Sequence, residues 1–138
     1  MIAFLITAVA LAAPPPHALR VEVARWHDAD TPKGCKIYLP LGVILDEPDG
    51  LRAINYDSWE VGSRPGTAVS ENERARGKAA LADLVGNFDE LDLRFVPSNL
   101  GRDKYGRPLG EFWLKRTADG EWVELGEWAR ANGHVRKP

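Results

Sequence analysis

"LRVEVARWHDADTPKGCKIYLPL", residues 19–41, carries two runs of alternating apolar and polar residues. Leu19, Val21 and Val23 alternate with Arg20 and Glu22, and Cys35, Ile37, Leu39 and Leu41 fall on one face of a second run. A period of two marks a half-buried strand, because successive side chains of extended backbone point to opposite faces. The chain is therefore β at its start. "LRAINY" (51–56), "LDLRFV" (91–96) and "RPLGEFWLK" (107–115) read as three further strands, while "GVILDEPDG" (42–50), with Pro and Gly at its end, reads as a loop.

One helix interrupts this series. After the Gly-, Ser- and Pro-rich "VGSRPGTAV" (61–69), Ser70 and Glu73 have the spacing of a capping box. Ala75, Ala79, Leu81, Ala82, Leu84 and Val85 then fall mostly on one helical face, and Gly86 is placed to close the helix in a left-handed conformation. An "ADG" turn (118–120) precedes a terminal amphipathic helix expected over 123–132. The expectation is a mainly β chain with helices (α+β). Five strands with a helix before the fourth fit a small closed five-stranded barrel of the OB type better than a layered α/β sheet.

The 138 residues, 44% hydrophobic and 28% charged, suffice for one domain with a real core and not for two. A formal charge of −2 gives no whole-chain field of the kind a nucleic-acid binder usually shows, so charge distribution has to carry that argument. The single cysteine, Cys35, excludes an internal disulfide and reads as a small buried apolar residue. With only His17, His27 and His134 scattered beside it, a structural zinc site is disfavoured.

The first 16 residues, "MIAFLITAVALAAPPP", are set apart from a folded unit at 17–138. Residues 2–13 form an uncharged apolar run, short for a membrane-spanning helix and of the right length for the core of a signal peptide. Ala10-Leu11-Ala12 supplies a small-x-small cleavage pattern, although no Lys or Arg precedes the run. This predicts a secreted, periplasmic or envelope-facing protein, with an uncleaved N-terminal anchor or a structured N-terminal strand as alternatives. Pro14 to Pro16 act as a stiff extended spacer.

Chemistry concentrates in two places. From Asp28 to Glu60 there are seven acids (Asp28, Asp30, Asp46, Glu47, Asp49, Asp57, Glu60) against Lys33, Lys36 and Arg52, a net of −4. From Arg102 to Arg116 there are five bases against Asp103 and Glu111, a net of +3. Converging carboxylates repel one another, and a hard divalent cation relieves that repulsion by taking oxygen ligands. An arginine suits an anion, and a further carboxylate suits the proton of an attacking water. An acidic cluster facing a basic strand is thus what metal-assisted attack on a phosphodiester requires. Singly, each motif has a plainer reading: "DAD" (28–30) and "DSWE" (57–60) as turns, and "DKYGR" (103–107) as a polar hairpin in which Gly106 supplies a positive φ. His27 reads as exposed or bonded at a strand end, and Trp59, Trp113, Trp122 and Trp128 as core or rim aromatics rather than base-stacking platforms.

In order, however, Asp28-Ala29-Asp30-Thr31, then Arg52 with Asp57 five residues on and Glu60 three further, then Asp103-Lys104-Tyr105-Gly106-Arg107, resemble the staphylococcal nuclease (thermonuclease) family. The likeness runs from about Val21 to Val135 and includes "ERARGKAA" (73–80) and "WVELGEWARANG" (122–133). It implies an OB-fold barrel with helices and calcium-dependent cleavage of single-stranded or locally opened DNA, or of RNA, leaving 3′-phosphates. By position, Asp30, Asp57 and the backbone carbonyl of Ser58 would hold Ca²⁺, with Asp28 supporting the metal from nearby. Arg52 and Arg107 would hold the scissile phosphate, Glu60 would orient or deprotonate water, and Tyr105 with Lys104 would bind substrate. A monomer with no stable protein partner is expected.

Four residues depart from the family pattern. Ala29 stands where the family usually has glycine, at a strain of about 1 kcal/mol if the position needs a positive φ. Ser58 replaces a usual Thr or Ala, Trp59 replaces a usual proline next to Glu60, and Pro32 follows Thr31 directly. The stretch between Asp30 and Arg52 is also longer than in the secreted prototype. A nuclease-like barrel that binds nucleic acid or protein without cleaving is the alternative from another class. A glycosidase with paired carboxylates gains nothing from Arg52 and Arg107.

Overall fold

The computed structural model describes residues 12–62 and 69–136. Most of the apolar run at 2–13, its cleavage pattern up to Leu11, and the loop at 63–68 lie outside the described residues.

β1 (Leu19–Asp28) and β2 (Thr31–Tyr38) form an antiparallel hairpin with Val21 opposite Ile37 and Val23 opposite Cys35. All four are buried while Arg20, Glu22 and Lys36 are exposed, as the alternation predicts. The second run ends sooner than its pattern. After Tyr38 the chain makes a short 3₁₀ turn at Pro40–Gly42, in which Leu41 is left-handed (φ 65°) and fully exposed, so Leu41 leaves the inner face and Leu39 is only half-buried. It then returns as β3 (Ile44–Glu47), antiparallel to β2. The expected loop at 42–50 thus contains a strand. β3 is an edge strand with Ile44, Leu45 and Asp46 all exposed, so it carries no alternation to read.

The third expected strand shrinks to β4 (Arg52–Ala53), which runs parallel to β6 (Pro108–Lys115). α1 (Glu71–Asn87) begins as predicted, with Ser70 Oγ accepting the Glu73 N–H at 3.1 Å. Its buried face is Gly77, Ala80 and Leu84 with Leu81 beside them; Ala75, Ala79, Ala82 and Val85 are exposed, which corrects the expected stripe. Gly86 lies within the helix, and the Phe88 N–H ends it by donating to the Leu84 carbonyl at 3.1 Å. β5 (Asp92–Arg102) and β6 pair antiparallel, and β7 (Trp122–Glu124) adds to β6. Because residues 122–124 pair as a strand, α2 (Leu125–Ala131) starts two residues later than expected.

The architecture is α+β, a mainly antiparallel seven-stranded sheet in the order β3-β2-β1-β5-β6-β4 with β7 against β6, and two helices. The two additional strands, β3 and β7, are short pieces that the period-two reading passes over. Val21, Leu93, Phe95, Phe112 and Leu114 from the sheet meet Leu84 of α1 and Leu125 and Trp128 of α2 in one core. Trp128 is buried there; Trp59, Trp113 and Trp122 are half-buried, with Trp59 against the Arg76 guanidinium and Trp122 against that of Arg94. Between the sheet's β4 end and β2, the N–H groups of Leu51 and Ala53 donate to the carbonyls of Pro32 (3.1 Å) and Asp30 (3.2 Å).

Candidate active site

The turn between β1 and β2 brings Asp28, Ala29, Asp30 and Thr31 into the interior, each 1% exposed or less. Ala29 keeps a negative φ, so no glycine is needed there and the strain considered for that position is absent. Buried carboxylates must be satisfied by donors. Asp30 accepts the Thr31 hydroxyl on Oδ1 (2.8 Å) and the Ser58 N–H on Oδ2 (2.7 Å), and its Oδ2 forms an ion pair with Arg52 Nη1 at 2.7 Å. Asp28 Oδ1 accepts the Val61 N–H at 2.9 Å, while its Oδ2 has no hydrogen-bond partner and lies 3.9 Å from Nε2 of the exposed His27.

Arg52 is the hub. Besides its ion pair with Asp30 it donates to Asp57 Oδ1 at 2.6 Å and to Thr31 Oγ1 at 3.2 Å. Burial works against its charge, but Asp30, Asp57 and the nearby Glu60 outweigh that and raise its pKa further. Burial pushes the Asp30 carboxyl above its ordinary range, opposed by Arg52, the Ser58 N–H and the Thr31 hydroxyl. The guanidinium is therefore the charge that holds two carboxylates together.

The second arginine is set by a tight turn. Gly106 has the positive φ (81°) expected of it, and its N–H donates to the Asp103 carbonyl at 3.0 Å. Asp103 Oδ1 accepts the N–H groups of Tyr105 and Arg107, both at 2.9 Å, and Oδ2 accepts Arg107 Nε at 2.8 Å. Burial alone would raise the Asp103 carboxyl, but the Arg107 N–H and guanidinium and the Tyr105 N–H together hold it below the usual range. Arg107 is 6% exposed, with its guanidinium 5.3 Å from the centre of the half-exposed Tyr105 ring; Lys104 Nζ lies 5.1 Å from the same ring.

These two constructions meet because β4 pairs in parallel with β6, placing Arg52 opposite Leu109, two residues after Arg107. Arg52, Asp103, Lys104, Tyr105 and Arg107 line one open groove of about 310 Å³. No family model matches the chain, and no curated protein does.

Of the residues singled out in the sequence, Arg52, Arg107, Tyr105 and Lys104 share the groove, and Asp30 and Asp57 flank it through Arg52. Glu60 is half-buried near enough to act on the charge of Arg52, but it does not line the groove. Ser58 is buried behind it. Among the described residues no three His, Cys, Asp or Glu side chains are grouped to hold a metal ion. A cation here would rest on the Asp30 and Asp57 carboxylates, one backbone carbonyl and water. Oxygen donors are the kind that a hard ion such as Ca²⁺ takes, but a bound ion would share these carboxylates with the Arg52 guanidinium, which bridges them at 2.7 Å to Asp30 and 2.6 Å to Asp57.

Sequence reasoning assigned no role to Asp103, Thr31, Tyr56 or Gly77. Asp103 carried a signal, since it stands four residues before Arg107. The Tyr56 hydroxyl, which donates to the Ala29 carbonyl at 2.7 Å across 27 positions, carried none.

Proposed function

We propose that the chain is a calcium-dependent endonuclease that hydrolyses phosphodiester bonds of single-stranded or locally opened DNA, or of RNA, and leaves 3′-phosphates. The observation that carries this reading is that Arg52 and Arg107, each fixed by a carboxylate, line the same groove beside Tyr105 and Lys104. The order of motifs in the sequence, similar to the staphylococcal nuclease family, supports it. We read the sheet as an OB-type barrel, supported by the bonds from Leu51 and Ala53, at β4, to the Pro32 and Asp30 carbonyls at the start of β2 and just before it. The apolar N-terminal run supports export; N-terminal sequencing of the protein from its host tests this, a new terminus near Ala13 being expected.

In this mechanism the Arg52 and Arg107 guanidiniums grip the phosphate oxygens and stabilise the charge that grows as phosphorus becomes five-coordinate. Tyr105 and Lys104 position the adjoining nucleotide. Glu60 takes a proton from the water that forms the new P–O bond, and the P–O5′ bond breaks with its electron pair passing to the departing oxygen. Asp30, Asp57 and the Ser58 carbonyl would hold Ca²⁺, which when bound supplies Lewis-acid stabilisation of phosphate charge. Asp30 and Asp57 also fix the guanidinium plane of Arg52 before substrate arrives, so less ordering is left to binding.

Incubating the purified chain with end-labelled single-stranded DNA and RNA, in calcium and in chelator, tests the reading. Calcium-dependent fragments with 3′-phosphates are expected; intact substrate in calcium would overturn it. One observation favours a second reading, a non-catalytic module that binds nucleic acid or protein: the Arg52 charge is already paired with both Asp30 and Asp57, at 2.7 and 2.6 Å. Binding of single-stranded DNA without cleavage would decide for that module.

A further inference from the structure

Residues 57–61 carry the candidate base Glu60, yet they belong to no strand or helix, so no ladder holds them in place. Outside any ladder, the Asp57 carbonyl accepts the Arg136 N–H at 2.7 Å, and the N–H groups of Ser58 and Val61 are held by side chains. Asp30 Oδ2 accepts the Ser58 N–H at 2.7 Å, and Asp28 Oδ1 accepts the Val61 N–H at 2.9 Å. The two carboxylates, both almost fully buried, thus bracket Trp59 and Glu60. Between them the Ala29 carbonyl takes the Tyr56 hydroxyl at 2.7 Å, fixing the start of the same segment.

α1 also presses its backbone against the segment. A Cβ on Gly77 would lie 2.6 Å from the Glu60 carbonyl oxygen and 2.8 Å from that of Trp59, closer than any side chain tolerates. The next residue back, Arg76, stacks its guanidinium 4.9 Å from the centre of the Trp59 ring. Residues 59 and 60 are therefore held by both a buried carboxylate pair on the β1–β2 turn and a bare helix backbone.

We infer that Asp28 and Gly77 are positioning residues: Asp28, by accepting the Val61 N–H, and Gly77, by admitting the Glu60 carbonyl, clamp the segment that aims Glu60. Asp28 then acts on the reaction through the backbone rather than through a metal ion. The clamp itself needs only the geometry given, whereas its catalytic consequence rests on the nuclease reading. The acceptor role separates the two uses of Asp28. An asparagine keeps an oxygen able to accept the Val61 N–H but has no charge to offer a cation, and an alanine keeps neither.

The experiment compares the full-length wild type with Asp28→Asn, Asp28→Ala and Gly77→Ala by amide hydrogen exchange and by steady-state cleavage of single-stranded DNA in calcium. The expected result is strong protection of the Val61 amide in wild type and Asp28→Asn, and its loss in Asp28→Ala. Gly77→Ala and Asp28→Ala should lower kcat on the order of 10- to 100-fold with little change in KM, as displaced catalytic groups do. Asp28→Asn should recover most of the kcat that Asp28→Ala loses. Equal Val61 protection in Asp28→Ala and wild type would overturn the clamp, as would an asparagine variant as impaired as the alanine one. If Asp28→Ala does not fold, Gly77→Ala and Asp28→Asn decide alone: wild-type kcat in Gly77→Ala overturns the proposal. A wild-type chain that cuts nothing while Val61 follows the expected pattern would sink the nuclease reading and leave the clamp standing.

Discussion

Asp103 and Arg107 bind each other at three points: the Arg107 N–H and Nε donate to the two carboxylate oxygens at 2.9 and 2.8 Å, and the Asp103 N–H donates to the Arg107 carbonyl at 2.9 Å. A five-residue turn closed this way presents Arg107 as a fixed cation rather than a searching one. Its carboxyl is held below the ordinary range, so the sign follows from linkage: the stabilisation is fully present above the unfolded value near pH 4 and is lost as pH falls through the lowered folded value. Melting temperature followed from pH 6 to pH 2 should show an acid-side loss that is smaller in Asp103→Asn. Identical profiles would mean the turn does not depend on the charge.

The division of labour among Arg52, Glu60 and Arg107 predicts unequal failures. Glu60→Gln should lower the cleavage rate by roughly 10²- to 10⁴-fold with far less effect on binding. Arg52→Lys should also fail, because one ammonium cannot span Asp30 and Asp57 as the planar fork does at 2.7 and 2.6 Å. Losses in double variants should be less than additive, since all three residues serve one transition state. Rates are meaningful only beside circular dichroism and melting curves that show each variant folded.

Ion dependence should separate activity from folding. The core is built from Phe95, Phe112, Leu84, Leu125 and their neighbours and has no metal-dependent part, so chelator should abolish cleavage and leave the melting temperature within a few degrees. Half-maximal activity is expected at roughly 10⁻⁴ to 10⁻³ M calcium, the range of sparse extracellular sites. Full activity in chelator would remove the ion from the mechanism.

Cys35 is buried on β2, and that burial pushes its thiol up to about 12. The thiolate is the reactive form, so a thiol reagent at pH 8 should label the native chain very slowly and the urea-unfolded chain at once. Rapid labelling of native protein would show that the edge strand β3 opens readily away from β2.

Features set by neighbouring residues were legible in the sequence. The alternation of 19–23 and of Cys35 and Ile37, the Ser70 cap on the Glu73 N–H, and the positive φ of Gly106 each depend on a few consecutive residues, whose own stereochemistry selects the backbone. Which residues can do chemistry was equally legible, because charge and donor number belong to the side chain. What those residues touch depends on the closed chain. β3 and β7 exist because a neighbouring strand offers them a ladder, and the buried face of α1 is the one carrying Gly77 because the Trp59 and Glu60 carbonyls lie against it. Asp28 and Asp30 meet the N–H groups of Val61 and Ser58 across 33 and 28 positions, and the parallel pairing of β4 with β6 carries Arg52 to Arg107. Such contacts form only when the whole chain has closed around its core, and no local propensity encodes a partner that distant.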